Sequence, residues 1–225
     1  MYWILFIGTA LISWLVSATF NSRMKKYSQV PLNSDMTGAD VARKMLRDNG
    51  IDDVEVVHVG GNLTDHYNPT NKTVNLSDSV YESNSVAAAA VAAHECGHAV
   101  QHARAYAPLK MRSALVPIVS FSSKYVMWVL LGGMLLLKVF PQLMLAGIVL
   151  FAITTLFSFI TLPVEIDASK RALVWLRSEG MTDNQQQPMA ESALKAAAYT
   201  YVVAALSSLA TLMYYISIYL GGRRN

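Results

Sequence analysis

Four long apolar stretches dominate the chain, and polar segments separate them. Each is long enough to cross the hydrocarbon core of a bilayer as a helix, which takes about 20 residues. Lys124 is the one charged residue within them, and its long side chain can extend toward the headgroups. The pattern therefore predicts four transmembrane helices, of which the second and third form a hairpin, at residues 2–20, 116–137, 139–162 and 196–220.

The polar stretch before residue 86 has a different pattern. Thr37 and Asp40 have the spacing of a capping box, which predicts a helix that runs to about Asn49 and ends at Gly50. Short runs of β-branched and apolar residues, bounded by turn signals, predict three strands. These strands are expected at residues 53–59, 63–67 and 73–76.

We therefore expect a mainly α membrane protein with four transmembrane helices and a small α+β domain at one membrane face. Its five segments are an N-terminal anchor at 1–20, an α+β region at 21–115, a membrane hairpin at 116–162, a helical segment at 163–195, and a last transmembrane helix with its tail at 196–225.

Basic residues orient the predicted spans. They cluster at residues 23–26, 104–112 and 170–177, whereas the hairpin tip carries Lys138 alone. By the positive-inside rule, residues 21–115 and 163–195 face the cytoplasm. Arg223 and Arg224 would then lie on the opposite side, which conflicts with the rule. The alternative is that one apolar stretch is interfacial or does not cross fully.

The motif His94-Glu95-Cys96-Gly97-His98 follows an alanine-rich run without Gly or Pro, so we expect it to be helical. Positions i and i+4 of a helix share one face, and the two imidazoles can reach the same ion. The glutamate lies beside that ion, where it can act on a bound water without being a ligand. This arrangement predicts a zinc peptidase with His94 and His98 as ligands and Glu95 as general base.

Three neighbours on the same helix have weaker predicted roles. His102 continues the histidine stripe and is a third ligand, a residue that supports the ligands from behind, or a solvated histidine. Cys96 is the only cysteine, which excludes an internal disulfide, and we expect it to be buried and to point away from the metal. Gly97 either allows close approach of another backbone or of substrate, or is simply tolerated.

A catalytic zinc usually has three protein ligands, and the hairpin returns the chain to the face that holds the metal helix. If the helix continues past Pro163, Glu165 lies on a small, apolar face where a carboxylate needs a cation. Asp167 and Arg171 instead form an i,i+4 pair of the kind found on solvated surfaces. Glu165 is therefore the predicted third ligand, and Glu191 is the alternative.

Three motifs carry a resemblance to a known family. They read A-A-H-E-C-G-H-A-V-Q-H at 92–102, L-P-V-E-I-D-A-S at 162–169 and D-H-Y-N-P at 65–69. Together with the anchor, the hairpin and the last span, they resemble the bacterial membrane zinc metallopeptidases of the YugP type. The resemblance covers essentially the whole chain.

The resemblance implies Zn²⁺ as cofactor, with His94, His98 and Glu165 as its ligands and Glu95 as the catalytic base. More distant relatives, the gluzincin membrane proteases of the HtpX and CAAX-prenyl-protease class, carry an aspartate four residues after the ligand glutamate. This chain has Ser169 there, and its nearest acid is Asp167. Which of these two supports the ligands therefore stays open.

The predicted function is a multi-pass zinc metalloendopeptidase of the bacterial cytoplasmic membrane. Its active site faces the cytoplasm, and it hydrolyses membrane or membrane-proximal polypeptides. His66, Tyr199 and Tyr201 are weak candidates for contacting the oxyanion or the substrate. The alternatives are a catalytically silent, zinc-stabilised membrane scaffold and, less favoured, a zinc-handling transporter.

The composition favours no other class of partner. The net charge of +3 is explained by basic residues that flank the spans. The chain has no phosphate-binding glycine motif and no nucleic-acid signature, so we expect the bilayer and a polypeptide substrate as partners, and no nucleic acid. The sequence carries no prediction of oligomeric state.

Overall fold

A computed structural model describes residues 2–222 of the protein, with the side chains of residues 2, 4, 5 and 222 left out. The fold is mainly helical with one small sheet. Its elements are α1 Tyr2–Tyr27, α2 Gly38–Asp48, β1 Glu55–Val59, β2 His66–Asn68, β3 Thr73–Ser77, α3 Asp78–Tyr81, α4 Val86–Ala103, α5 Ala107–Leu135, α6 Pro141–Ser178 and α7 Gln186–Gly222.

Within residues 2–222, three helices are long and apolar enough to cross a membrane: Ala107–Leu135, Pro141–Ser178 and Gln186–Gly221. They cover the second and third predicted spans, 116–137 and 139–162, except for two residues of each at the hairpin tip, and they contain the whole of the fourth, 196–220. The first predicted span lies within α1, and its crossing of the bilayer stays a prediction.

The chain divides into two compact units. One unit is built from residues 16–109 and 163–200, and the other from residues 110–162 with the two end segments 1–15 and 201–225. All the residues predicted to form the metal site belong to the first unit. It is called the site unit below.

The sheet of the site unit has the order β1-β3-β2. Strand β1 is parallel to β3, and β2 is antiparallel to β3 at the edge. All three predicted strands are present, but the second begins at His66 and not at residue 63. Leu63 has a φ of 57°, which is incompatible with a strand, so the preceding turn extends further than its sequence suggested.

Helix α4 lies in the middle of the core of the site unit. Ser85 caps it by accepting a hydrogen bond from the backbone N–H of Ala88, and almost every residue from Val86 to Gln101 is buried. Its alanines leave room for α2 and α6 to pack closely. The predicted capping box of α2, formed by Thr37 and Asp40, is also present.

Gly97 lies where the backbones of α4 and α6 approach each other closely. A Cβ atom at this position would lie 2.6 Å from the carbonyl oxygen of Ala168. Of the predicted reasons for this glycine, the structure therefore supports contact with another backbone. The approach brings the histidine face of α4 against the part of α6 that follows Pro163, because α6 continues as a helix through that proline.

The second unit contains the hairpin formed by α5 and the first part of α6. A Cβ atom at Gly133 would lie 2.5 Å from Cα of Met144, and one at Gly147 would lie 2.8 Å from the Leu130 side chain. Small residues at these positions let the two helices pack closely, as in many membrane helix pairs.

Candidate metal centre

Two helices of the site unit supply the predicted ligands. His94 and His98 are one turn apart on α4, and their rings meet edge to face with centroids 4.8 Å apart. Glu165 comes from α6 and is 3% exposed. Its Oε2 atom lies 3.3 Å from Nε2 of His94 and 3.5 Å from Nε2 of His98.

These separations match those between the ligands of a tetrahedral zinc ion. Ligand atoms about 2.0–2.1 Å from such an ion lie about 3.3 Å from one another. One donor atom from each of His94, His98 and Glu165 lies within 4.8 Å of the other two. The three side chains therefore converge on a point that one ion can occupy.

Gln101 determines which nitrogen of His98 faces that point. Its Oε1 lies 3.0 Å from Nδ1 of His98, and its Nε2 donates to the carbonyl of Val164 and to Asp167 Oδ2, both at 2.8 Å. The two donations fix the orientation of the amide, so Oε1 accepts and Nδ1 of His98 carries the proton. The neutral ring then presents the lone pair of Nε2 to Glu165.

A lone pair and a carboxylate at 3.5 Å repel each other unless a proton or a metal ion lies between them. Burial lowers the pKa of His98, but the hydrogen bond to Glu165 and the charges of Glu95 and Glu165 outweigh it, so its pKa is raised. The position therefore favours positive charge. Two imidazoles and one carboxylate are a donor set suited to Zn²⁺, and these residues fit that ion.

Ser169 occupies the corresponding position behind His94. Its hydroxyl oxygen lies 3.1 Å from Nδ1 of His94. Ser169 lies one turn after Glu165, at the position where the distant relatives carry an aspartate. A hydroxyl oxygen can accept a hydrogen bond from the N–H at Nδ1, as a carboxylate does, which orients Nε2 of His94 toward Glu165.

Asp167 lies behind His98, with Gln101 between them. It forms the predicted pair with Arg171, whose Nε lies 2.5 Å from Asp167 Oδ2. The pair is only partly solvated, with the Arg171 and Asp167 side chains 26% and 24% exposed, because Gln101 of α4 also donates to the aspartate. The structure thus places Ser169 behind one histidine and Asp167, through Gln101, behind the other.

Glu95 lies between the ligands in sequence and contacts the edge of the sheet. The backbone N–H of Tyr67 on β2 donates to its Oε2 at 2.9 Å. This bond ties β2 to a carboxylate of 9% exposure that is near enough to His98 for its charge to raise the pKa of that histidine.

Three other residues singled out in the sequence have side chains with partners of their own in the site unit. The Tyr67 hydroxyl contacts Nδ1 of His102 at 2.8 Å, and His66 Nδ1 contacts the carbonyl of Thr64 at 2.8 Å. Glu191 pairs with Lys195 at 2.5 Å. Tyr199 and Tyr201 are 60% and 39% exposed. Among the described residues, the group of possible metal ligands does not include His66, His102 or Glu191, and the roles of Tyr199 and Tyr201 stay predictions.

Cys96 faces the core of the site unit, as expected. It is fully buried, and its Sγ lies 3.5 Å from the carbonyl oxygen of Ala42. Burial and the nearby charge of Glu95 raise the pKa of the thiol, so it stays protonated.

Two contributors to the site were missed in the sequence. Gln101 is three residues after His98, a spacing that places it next to that histidine on a helix, and a polar residue on an otherwise buried face was a signal. The N–H of Tyr67 had no such signal, because a backbone contact depends on where β2 is placed.

A buried His₂Glu donor set with a second glutamate beside it is the arrangement found in catalytic zinc sites of peptidases. A sequence model of the family described as "Putative neutral zinc metallopeptidase" matches residues 2–220. The chain belongs to this family.

A relative supports the same assignment. The chain is 44% identical over 212 residues to the "Putative membrane protease YugP" of Bacillus subtilis (strain 168), which covers 94% of this chain and 93% of that protein. The predicted resemblance is thereby confirmed. No solved structure matches the chain.

Proposed function

We propose that the protein is a zinc-dependent endopeptidase of the bacterial cytoplasmic membrane that cleaves membrane or membrane-proximal polypeptides on the cytoplasmic side. The observation that carries the proposal is the convergence of His94, His98 and Glu165 beside Glu95. Family membership and the apolar helices support the zinc and membrane parts of it.

The proposed ligands are His94 Nε2, His98 Nε2 and Glu165 Oε2. Bound there, Zn²⁺ supplies a Lewis acid that lowers the pKa of water and polarises a carbonyl. Gln101 and Ser169 hold the two imidazoles in the tautomer and orientation that binding requires. Such supporting hydrogen bonds typically change metal affinity or activity by about 10–100-fold.

Glu95 is the proposed general base. It accepts a proton from the attacking water and delivers it to the leaving amine. The N–H of Tyr67 orients the carboxylate through Oε2, while proton transfer uses the other carboxylate oxygen. Since Glu95 is a neighbour of the donor atoms and not one of them, the structural arrangement suits a base and not a fourth ligand.

A Glu95→Gln variant tests this function. The purified full-length chain, loaded with zinc in detergent, is compared with the variant for cleavage of unfolded casein and for bound zinc. General acid–base catalysis contributes about 10²–10⁴-fold, so we expect at least a hundredfold loss of cleavage with stoichiometric zinc retained. Unchanged cleavage, or loss of zinc from a folded variant, would contradict the role given to Glu95.

A further inference from the structure

A groove of about 390 Å³ lies between α6 and α7 within the site unit. Its walls are one face of each helix, because the lining residues recur three or four positions apart. They are Ile166, Lys170, Leu173, Val174 and Arg177 on α6, and Gln187, Glu191, Leu194, Lys195 and Ala198 on α7. Ser169, which contacts His94, also lines the groove. The remaining lining residues have no part in the proposed catalysis.

The groove combines positive charge with an apolar floor. Its lining holds three cations and one acid. Lys195 is bonded to Glu191 at 2.5 Å, so Lys170 and Arg177 give the lining its net positive charge. The apolar floor consists of the isoleucine, leucine, valine and alanine side chains of the lining. Such a lining suits a ligand with an anionic head and an apolar body.

The predicted spans place one end of the groove at the bilayer. Ile166 follows the predicted span 139–162 by four residues, and Ala198 lies just inside the predicted span 196–220, so both are at the bilayer end. Lys195 directly precedes the second of these spans. Lys170 follows residue 162 by eight positions, or roughly 12 Å of helix. Arg177 lies about two turns further away.

The headgroup layer extends roughly 5–8 Å beyond the hydrocarbon core on each side. The long side chain of Lys170 can extend back into this layer, whereas Arg177 is too far along the helix to do so. Basic pockets between membrane helices on the cytoplasmic side commonly bind anionic headgroups.

We propose that this groove binds an anionic phospholipid, with the phosphate at Lys170 and the acyl chains against Ile166 and Ala198. The inference rests on the proposed membrane placement of α6 and α7, not on proteolysis. Ser169 contacts both this groove and His94, so a bound lipid lies directly behind one of the proposed zinc ligands.

The test measures how much lipid stays bound to a variant that is expected to be catalytically inactive. Full-length Glu95→Gln protein is incubated with phosphatidylglycerol or phosphatidylcholine of matched acyl chains, and bound lipid is counted by native mass spectrometry. We expect preferential retention of phosphatidylglycerol. Lys170→Gln should weaken it about fivefold, the contribution of one basic residue near an anionic surface, whereas Arg177→Gln should change it less than about twofold.

Two further variants separate a built site from general surface charge. Ala198→Phe fills the floor without changing charge and should also release phosphatidylglycerol. Lys25→Gln removes a cation that flanks another predicted span outside the groove and should leave retention unchanged. Bound zinc and elution volume show that each variant is folded.

Other results would overturn the proposal. Equal retention of the two lipids, or equal loss in Lys25→Gln and Lys170→Gln, would mean that no lipid site exists in the groove. Displacement by inorganic phosphate combined with insensitivity to Ala198→Phe would indicate a phosphate site. The groove would instead be a substrate subsite if two results came together. Lys170→Gln and Arg177→Gln would both raise the KM of the active enzyme for an acidic peptide, and neither would change lipid retention.

Discussion

Single side chains of the metal centre depend on a chain of directed hydrogen bonds. Asp167 and Val164 accept from the Gln101 amide, Gln101 accepts from His98, and His98 presents its remaining nitrogen to Glu165. Each hydrogen bond fixes which atom of the next pair donates and which accepts. Glu165 is the one carboxylate among the three proposed ligands, so its removal should have a large effect on the metal.

Glu165→Ala should lower zinc affinity by more than about 100-fold, because a lost ligand costs more than a lost supporting hydrogen bond. The measurement is zinc retention by the purified protein against a competing chelator. Glu191→Ala is the matched control, since its carboxylate pairs with Lys195, and it should retain zinc. If Glu191→Ala loses zinc while Glu165→Ala keeps it, the ligand assignment fails.

Gln101→Ala should weaken zinc binding about 10–100-fold, because His98 loses the acceptor that fixes its tautomer. Gln186→Ala is the control. Gln186 is also buried and also donates to a backbone carbonyl, that of Pro31, but it contacts none of the proposed ligands. A common loss of zinc in both variants would point to general destabilisation and not to positioning of His98.

The sequence predicted the side chains that meet at the centre better than the contacts that hold them. His94 and His98 followed from helical spacing, and Glu165 from a carboxylate on an apolar face. The roles of Ser169 and Asp167 stayed open because they depend on how α6 is rotated against α4. That rotation is fixed by packing at Gly97, which spacing along one chain does not reveal.

At the scale of elements, the crossing of α4 and α6 positions the ligands. A Cβ at residue 97 would meet the Ala168 carbonyl at 2.6 Å, so Gly97→Ala must move one backbone away from the other. Overpacking of this kind costs about 1–3 kcal/mol, offset by about 1 kcal/mol of improved helix propensity. We expect a lower unfolding temperature and weaker zinc binding in the same variant.

Gly8→Ala is the control for that substitution. Gly8 is also helical, and a Cβ there would meet nothing within 4 Å, so the change should leave zinc binding intact and should not lower the unfolding temperature. Wild-type zinc affinity in Gly97→Ala would show that the two helices can separate without displacing the ligands.

Helix types were predictable from the sequence, but helix lengths were not. The apolar stretches ended at residues 137 and 162, yet α6 runs from Pro141 to Ser178 and α7 begins at Gln186. Their polar ends are stabilised because Ala172 and Leu176 of α6 and Ala190 and Leu194 of α7 join the buried core that also contains α4, and hydropathy carries no signal for such packing. Strand β2 was also shorter than predicted, because Leu63 adopts a turn conformation.

At the scale of the whole molecule, the proposed topology determines where substrates are cleaved. Two predicted crossings separate His98 from Glu165 in sequence, and an even number returns the chain to the same membrane face. The convergence of these residues in the site unit agrees with that parity. An even number of crossings does not show which membrane face holds the metal centre. Only the distribution of basic residues favours the cytoplasmic face.

Cysteine labelling of intact cells tests the choice of face. Cys96 gives little background, because it is buried and its pKa is raised, and the thiolate is the reactive form. Exposed positions suit the probes: Asn71→Cys and Gln185→Cys in the site unit, and Lys138→Cys at the hairpin tip.

With a membrane-impermeant maleimide, we expect labelling of Lys138→Cys alone in intact cells and of all three variants after permeabilisation. The permeabilised sample is the control for reactivity, because a cysteine that fails there carries no information on sidedness. Labelling of Asn71→Cys from outside, with Lys138→Cys protected, would invert the topology and place the metal centre on the outer face. The proposed ligands and base would then stand, while the proposed cytoplasmic substrates would not.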